Sequence, residues 1–161
     1  MTYRVKDDGE LVEAKIRAAF ADSTFAGPIT AVDEMTNEEL DEEQALYGAL
    51  RGRSWSEISA SLIARYPDGI ALLTDEAFIA FLPAWLTRAL KDDEVLEAMV
   101  YMFSPHARTS EMLNRRLRLL SAEQREALEA FLAHCVDVES SKFVKDHARR
   151  AVAHVATFKS N

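Results

Sequence analysis

Apolar residues recur at three- and four-residue intervals along nearly the whole chain, and no convincing run alternates in the two-residue rhythm of a half-buried strand. That periodicity predicts an all-α fold. Val12, Ile16, Ala19 and Phe20 mark a first helix that ends near Asp22, ahead of a loop holding Gly27 and Pro28. Thr36 followed by Glu39 has the capping-box form, in which each side chain satisfies the other's free backbone N–H. It opens a second helix that runs toward Arg51 and stops near Gly52. Ser54 with Glu57 repeats the form and opens a third helix carrying Trp55, Ile58, Leu62 and Tyr66, closed by the turn Pro67-Asp68-Gly69.

The widest apolar stripe runs from Asp75 to Leu90, behind a Thr74 cap. Phe78, Ile79, Phe81, Leu82, Trp85, Leu86, Ala89 and Leu90 cover about half of its circumference at about 100° per residue, as a central helix requires. Pro83 has no N–H and its ring crowds the preceding turn, so a kink or a break is expected, with Pro83 starting the second piece. Asp92 or Asp93 opens a further helix through Val95, Leu96, Met99, Val100 and Phe103, which Ser104-Pro105 ends. Three more are expected from Thr109 to Leu120, from Ser121 (capping with Gln124) to about Glu139, and from Ser141 to Phe158. The pattern thus predicts a single compact all-helical domain over residues 1–161, with about eight helices around the Pro-interrupted one and no linker or internal repeat.

Composition narrows the function more than it identifies it. A chain of 161 residues, 48% apolar, buries one sizeable core. Its longest uncharged apolar run, Ala77 to Thr87, is too short for a bilayer, and residues 1–10 are polar rather than signal-like, so a cytoplasmic protein without membrane contact is expected. The single cysteine, Cys135, sits on the apolar stripe of Leu128, Phe131, Leu132 and Val138, which predicts a buried, inert thiol. The net charge of −8 has one origin: residues 18–50 hold eight acids and no Lys or Arg, while the remainder balances at 19 acids against 19 bases. Duplex nucleic acid, which demands clustered cations, is excluded as the expected partner.

No motif for metal or cofactor chemistry is present. The residues three before His106, His134, His147 and His154 are Phe103, Phe131, Val144 and Ala151, so the Glu-x-x-His pattern of helical di-metal sites is absent. There is also no His-Glu-x-x-His, Cys-x-x-Cys, Gly-rich phosphate loop or Gly-x-Ser-x-Gly, and neither metal nor cofactor is expected.

Two constellations remain as candidate sites. On the second helix Glu38, Asp41 and Glu42 form a solvated acidic face, while Asp33 and Glu34 precede the helix and Glu39 is spent on the Thr36 cap. Glu43 falls among Leu40, Leu46, Tyr47 and Leu50, where a carboxylate must reach water or find a donor. The expected donor is an Arg from a neighbouring helix; the alternative is a carboxylate of raised pKa able to act as general acid or base. On the last helix His147, Arg150 and His154 share one edge, either as ordinary boundary residues or as an anion-binding strip. Phe78, Phe81 and Trp85, with Trp55, read as core rather than as a ligand pocket.

Trp55-Ser56-Glu57-Ile58, together with Phe78-Ile79-Ala80-Phe81-Leu82-Pro83-Ala84, resembles a small bacterial all-helical family of unknown function that pairs Trp-x-x-Ile with Phe-x-x-aromatic-Leu-Pro-Ala. The likeness extends to residues 16–20 and to Leu120-Ser121-Ala122-Glu123-Gln124 leading into Phe131-Leu132. These are packing and capping residues, so the resemblance implies a fold and assigns no catalytic role. The expected function is a non-catalytic protein-binding module that docks a basic protein partner through Glu38, Asp41, Glu42 and Glu43, in the manner of an immunity protein or antitoxin. Two alternatives stand beside it: a structural homo-oligomeric subunit whose apolar face around residues 78–90 is covered by a second copy, and an enzyme built on dispersed Glu43, His147 and His154.

Overall fold

The computed structural model describes residues 2–30, 37–105 and 110–158, with side chains described over 8–30, 41–105 and 110–158. Eight α-helices follow one another among the described residues: α1 (Thr2–Ala19), α2 (Asn37–Leu50), α3 (Ala60–Arg65), α4 (Asp75–Ala89), α5 (Asp93–Phe103), α6 (Ser110–Leu119), α7 (Ala122–Val138) and α8 (Lys142–Ala156). No strand is found among them; Thr30 and Leu73 make one isolated antiparallel bridge. The fold is all-helical, as the periodicity predicts.

The centre is α4, which packs against α1, α3, α5 and α6. Phe81, Leu82, Trp85 and Leu86 have no exposed surface at all. Contrary to expectation, α4 runs without a break across Pro83, whose own side chain is buried. The physical reason is the helix's position. A proline inside a helix costs about 3 kcal/mol, whereas each large apolar side chain fully buried contributes about 1.5–3 kcal/mol, and α4 buries several on all sides. The Thr87 hydroxyl donates to the Pro83 carbonyl at 2.8 Å, one turn along.

The expected third helix is divided. Ser54 donates from both its N–H and its hydroxyl to Glu57 Oε1, at 2.9 Å each, but this pair closes only a 3-10 turn, Trp55–Glu57. Ile58 is then extended and Ser59 caps α3 afresh, accepting from the Leu62 N–H at 3.2 Å. A second 3-10 turn, Gly69–Leu72, leads to α4. It approaches its neighbours so closely that a Cβ at Gly69 would stand 2.9 Å from Tyr66 Cβ and 3.2 Å from Leu46 Cδ1. The other expected caps form: Thr74 accepts from Ala77 N–H at 3.1 Å, Asp92 from Glu94 N–H at 3.1 Å, Ser121 and Gln124 make a reciprocal box, and Ser141 accepts from Val144 N–H. Thr36, Asp33, Glu34 and His106 lie outside the described residues, as do the side chains of Glu38 and Glu39.

Around α4 the C-terminal half closes the core: α7 packs on α1 and α8, and α8 on α5. Cys135 of α7 is fully buried, and burial pushes its thiol pKa far up, so it is an inert packing residue.

Candidate functional site

Helical spacing puts Glu94, Glu97, Ala98 and Tyr101 on one face of α5, since i, i+3, i+4 and i+7 fall on one line. That face does not meet another helix squarely. It forms one side of a cleft of about 610 Å³ whose other side is Met112, Leu113 and Arg116 of α6, with Phe78 of α4 and residues Pro67, Asp68 and Ala71 completing it. The volume lies within the range of about 300–1,000 Å³ usual for ligand sites. Apolar groups form most of the wall, and the half-buried Met102 and Met112 offer adaptable thioethers. Three exposed carboxylates, Asp68, Glu94 and Glu97, stand around it.

Among the described residues Arg116 is the only cation in the wall, and it is already engaged. Its side chain is almost wholly buried; one amino group donates to the Leu73 carbonyl at 2.7 Å, Nε donates to Asp75 Oδ1 at 3.1 Å, and the guanidinium lies 4.3 Å over the Phe78 ring. Asp75, in the first turn of α4, also accepts from the more exposed Arg115, and that bond above all holds its carboxyl below the usual range. Desolvation lowers the Arg116 pKa, against the raising effect of Asp75. The cleft therefore presents an apolar wall under a net negative rim.

Its apolar surface continues outward. Tyr101, 37% exposed, stacks on His147 with centroids 4.6 Å apart and meets Phe143, which is 58% exposed. Glu42 of α2 lies near the other end: a Cβ at Gly69 would stand 3.4 Å from Glu42 Oε1, and Gly69 follows the cleft residue Asp68 in the chain.

The residues singled out from sequence scatter across the molecule. Asp41 is exposed and Glu42 half-buried. Glu43 is buried as its place in the stripe demands, and it accepts from the Thr30 hydroxyl at 2.5 Å; among the described residues no Arg pairs with it. Thr30 lies in the loop before α2, beside the bridge to Leu73, which periodicity does not reveal. His147 is buried with Nδ1 2.9 Å from Ser104 Oγ, and Arg150 NH2 stands 3.1 Å from the same ring nitrogen. His154 instead bonds Asn114 of α6 through Nε2 at 2.7 Å. The two histidines of the strip thus turn to different elements, and none of Glu43, His147 and His154 lines the cleft. Phe78, Phe81 and Trp85 are core, with Trp85 Nε1 donating to the Tyr66 carbonyl at 3.1 Å. Among the described residues no group of three His, Cys, Asp or Glu is placed to hold a metal ion, and no helix is long and apolar enough to cross a membrane. The sequence does not reveal the cleft, because its α5 face mixes acids with apolar residues; the spacing of Glu94, Glu97, Ala98 and Tyr101 is the one signal of it that the sequence carries.

Residues 8–155 match a family of unknown function (DUF6714), and the chain belongs to that family. No curated protein and no solved structure matches it.

Proposed function

We propose that this member of the family is a non-catalytic protein-binding module, and that the cleft between α5 and α6 receives an amphipathic helix of a basic partner. The observation that carries the reading is the pairing of an apolar, Met-containing wall with the carboxylates of Asp68, Glu94 and Glu97. An apolar helix face seated in such a groove contributes affinity, and Lys or Arg flanking that face meets the rim. The net charge of −8 adds a long-range attraction that speeds encounter with a basic chain. Glu42 on α2, which approaches Gly69 next to Asp68, adds a carboxylate at that end, so one residue of the face expected from sequence stands at the margin of the site. A basic toxin held by an immunity- or antitoxin-like protein is a partner of this chemistry.

A designed helix of leucine and lysine, spaced to give one apolar face, tests it. Binding followed by the methyl resonances of Met102 and Met112 is expected to shift both, to weaken as salt rises, and to drop about tenfold or more in Glu94→Lys/Glu97→Lys. Equal binding of the leucine–glutamate counterpart, or a peptide that leaves both methyls unmoved, refutes the reading.

A further inference from the structure

Beside α1 a second pocket, of about 520 Å³, opens between that helix, the turn after α4, α5 and α7, and it shares no residue with the cleft. His134 of α7 lines it. This histidine is only 9% exposed, its ring has no hydrogen-bond partner among the described residues, and neither ring nitrogen is among the side-chain atoms sealed from water. Buried polar groups are almost always satisfied, so a ring left unbonded at an open pocket calls for a partner that enters it.

Helix α1 leaves the way to that ring clear. A Cβ at Gly9 would lie 3.7 Å from both Cε1 and Nε2 of His134, an ordinary contact, so packing by itself accepts alanine there. Glycine weakens a helix interior, and what its use gains here is an uncovered imidazole edge. Gly9 lines this pocket and not the smaller one formed by Asp8, Lys15 and Asp137, which places the Nε2 edge on this side.

The surrounding charge is negative. Glu10, Glu13 and Asp93 line the pocket against one cation, Lys91. Lys91 stands 3.6 Å from Glu13, which Arg17 also approaches at 3.8 Å, whereas the exposed Glu10 and Asp93 have no ion pair among the described residues. Beyond the ring, Asp8 and Asp137 outnumber Lys15, and Asp92 is matched by Arg88 at 3.2 Å. Burial holds the imidazole below its usual pKa, against Asp8 and Asp137, so near neutral pH it is uncharged and Nε2 can accept. No three carboxylates or histidines are placed to hold one metal ion among the described residues, so the acceptors are spread along the pocket rather than gathered at a point.

We infer that this pocket is a binding site for a short aliphatic diamine, one ammonium donating to His134 Nε2 and the other held by the carboxylates of Glu10 and Asp93, with the methylenes between them lying on Leu90, Leu96 and Val138. Separated acceptors suit two separated cations, and the apolar side suits the chain that joins them. The volume holds the whole of such a molecule.

The Cε1–H resonances of the histidines in the full chain read this directly. Titration with 1,4-diaminobutane is expected to shift the His134 signal saturably and to leave those of His147 and His154 in place, with n-butylammonium about fivefold weaker or more and neutral butane-1,4-diol without effect. Glu10→Gln/Asp93→Asn, both at exposed positions, is expected to weaken the diamine by about tenfold or more. Gly9→Leu, which covers the Nε2 edge, is expected to abolish the shift while far-UV circular dichroism keeps its helical form. Binding is also expected to fall as His134 takes up a proton, following its own titration. No saturable movement of the His134 signal, an equal shift with butanediol, or diamine binding unchanged in Glu10→Gln/Asp93→Asn overturns the site. Butylammonium binding as tightly as the diamine overturns the diamine assignment.

Discussion

Replacing Arg116 with methionine removes the charge behind the cleft wall while keeping an unbranched apolar stem, and the structure sets how much this costs. Three carbonyl or carboxylate contacts are at stake: the Leu73 carbonyl at 2.7 Å, Asp75 Oδ1 at 3.1 Å, and the Ala71 carbonyl at a long 3.4 Å. Asp75 keeps Arg115 in the variant, so its charge is not stranded. The Leu73 carbonyl does lose its buried donor, worth about 1.5–3 kcal/mol for a charged hydrogen bond. The cation over Phe78 adds about 0.5–2 kcal/mol, and relief of the guanidinium's desolvation returns part of the sum. The expected net loss is about 2–3 kcal/mol, a fall in Tm of roughly 5–10 °C for a domain of this size. Arg115, bonded to the same carboxylate but 56% exposed, sets the contrast: Arg115→Met should cost less than about 1 kcal/mol. Urea unfolding followed by far-UV circular dichroism, compared at equal m, measures both. A loss below about 0.5 kcal/mol in Arg116→Met, or equal losses in the two variants, would refute burial as the source of the difference.

Further outcomes follow from the other buried polar groups. Thr30→Val takes the donor from Glu43, which is 8% exposed, and should lower stability by about 1–3 kcal/mol in thermal melts; no change would mean that the hydroxyl does not support the carboxylate. Burial holds the His134 imidazole below its usual pKa, against the opposing pull of Asp8 and Asp137. The unfolded chain therefore takes up that proton first as pH falls: the contribution is complete above the ordinary value of about 6.5 and is lost below it. His134→Gln should flatten the drop in urea midpoint between neutral and mildly acid pH, and an unchanged slope would exclude His134 as its source. Cys135, fully buried with its thiol pKa pushed up, should react with a disulfide reagent only as fast as the protein opens, so rapid labelling of the native chain would contradict the packing described.

Helix number, the course of α5 to α8 and the caps at Thr74, Asp92, Ser121 and Ser141 were legible in the sequence because each depends on residues within one or two turns of one another. The apolar stripe of α4 likewise declared a central helix. Where two local signals competed the outcome was not legible: Ser54 and Ser59 both cap, and the segment divides into a 3-10 turn and α3. Nor was the continuity of α4 through Pro83, which depends on burial from all sides rather than on the residue itself.

The polar chemistry was decided almost entirely in three dimensions. That Glu43 must find a donor followed from its place among apolar residues, but the choice of Thr30 over an arginine is a matter of how the loop before α2 meets Leu73. The cleft needs α5 and α6 to splay over Phe78, and the pocket at His134 needs α1 to carry Gly9 and Glu10 to helices distant in the chain. Periodicity along a chain reports which face of each helix avoids water, since that is a property of neighbours three and four residues apart. It holds no record of which faces fail to meet, and both candidate sites lie where helices leave a gap.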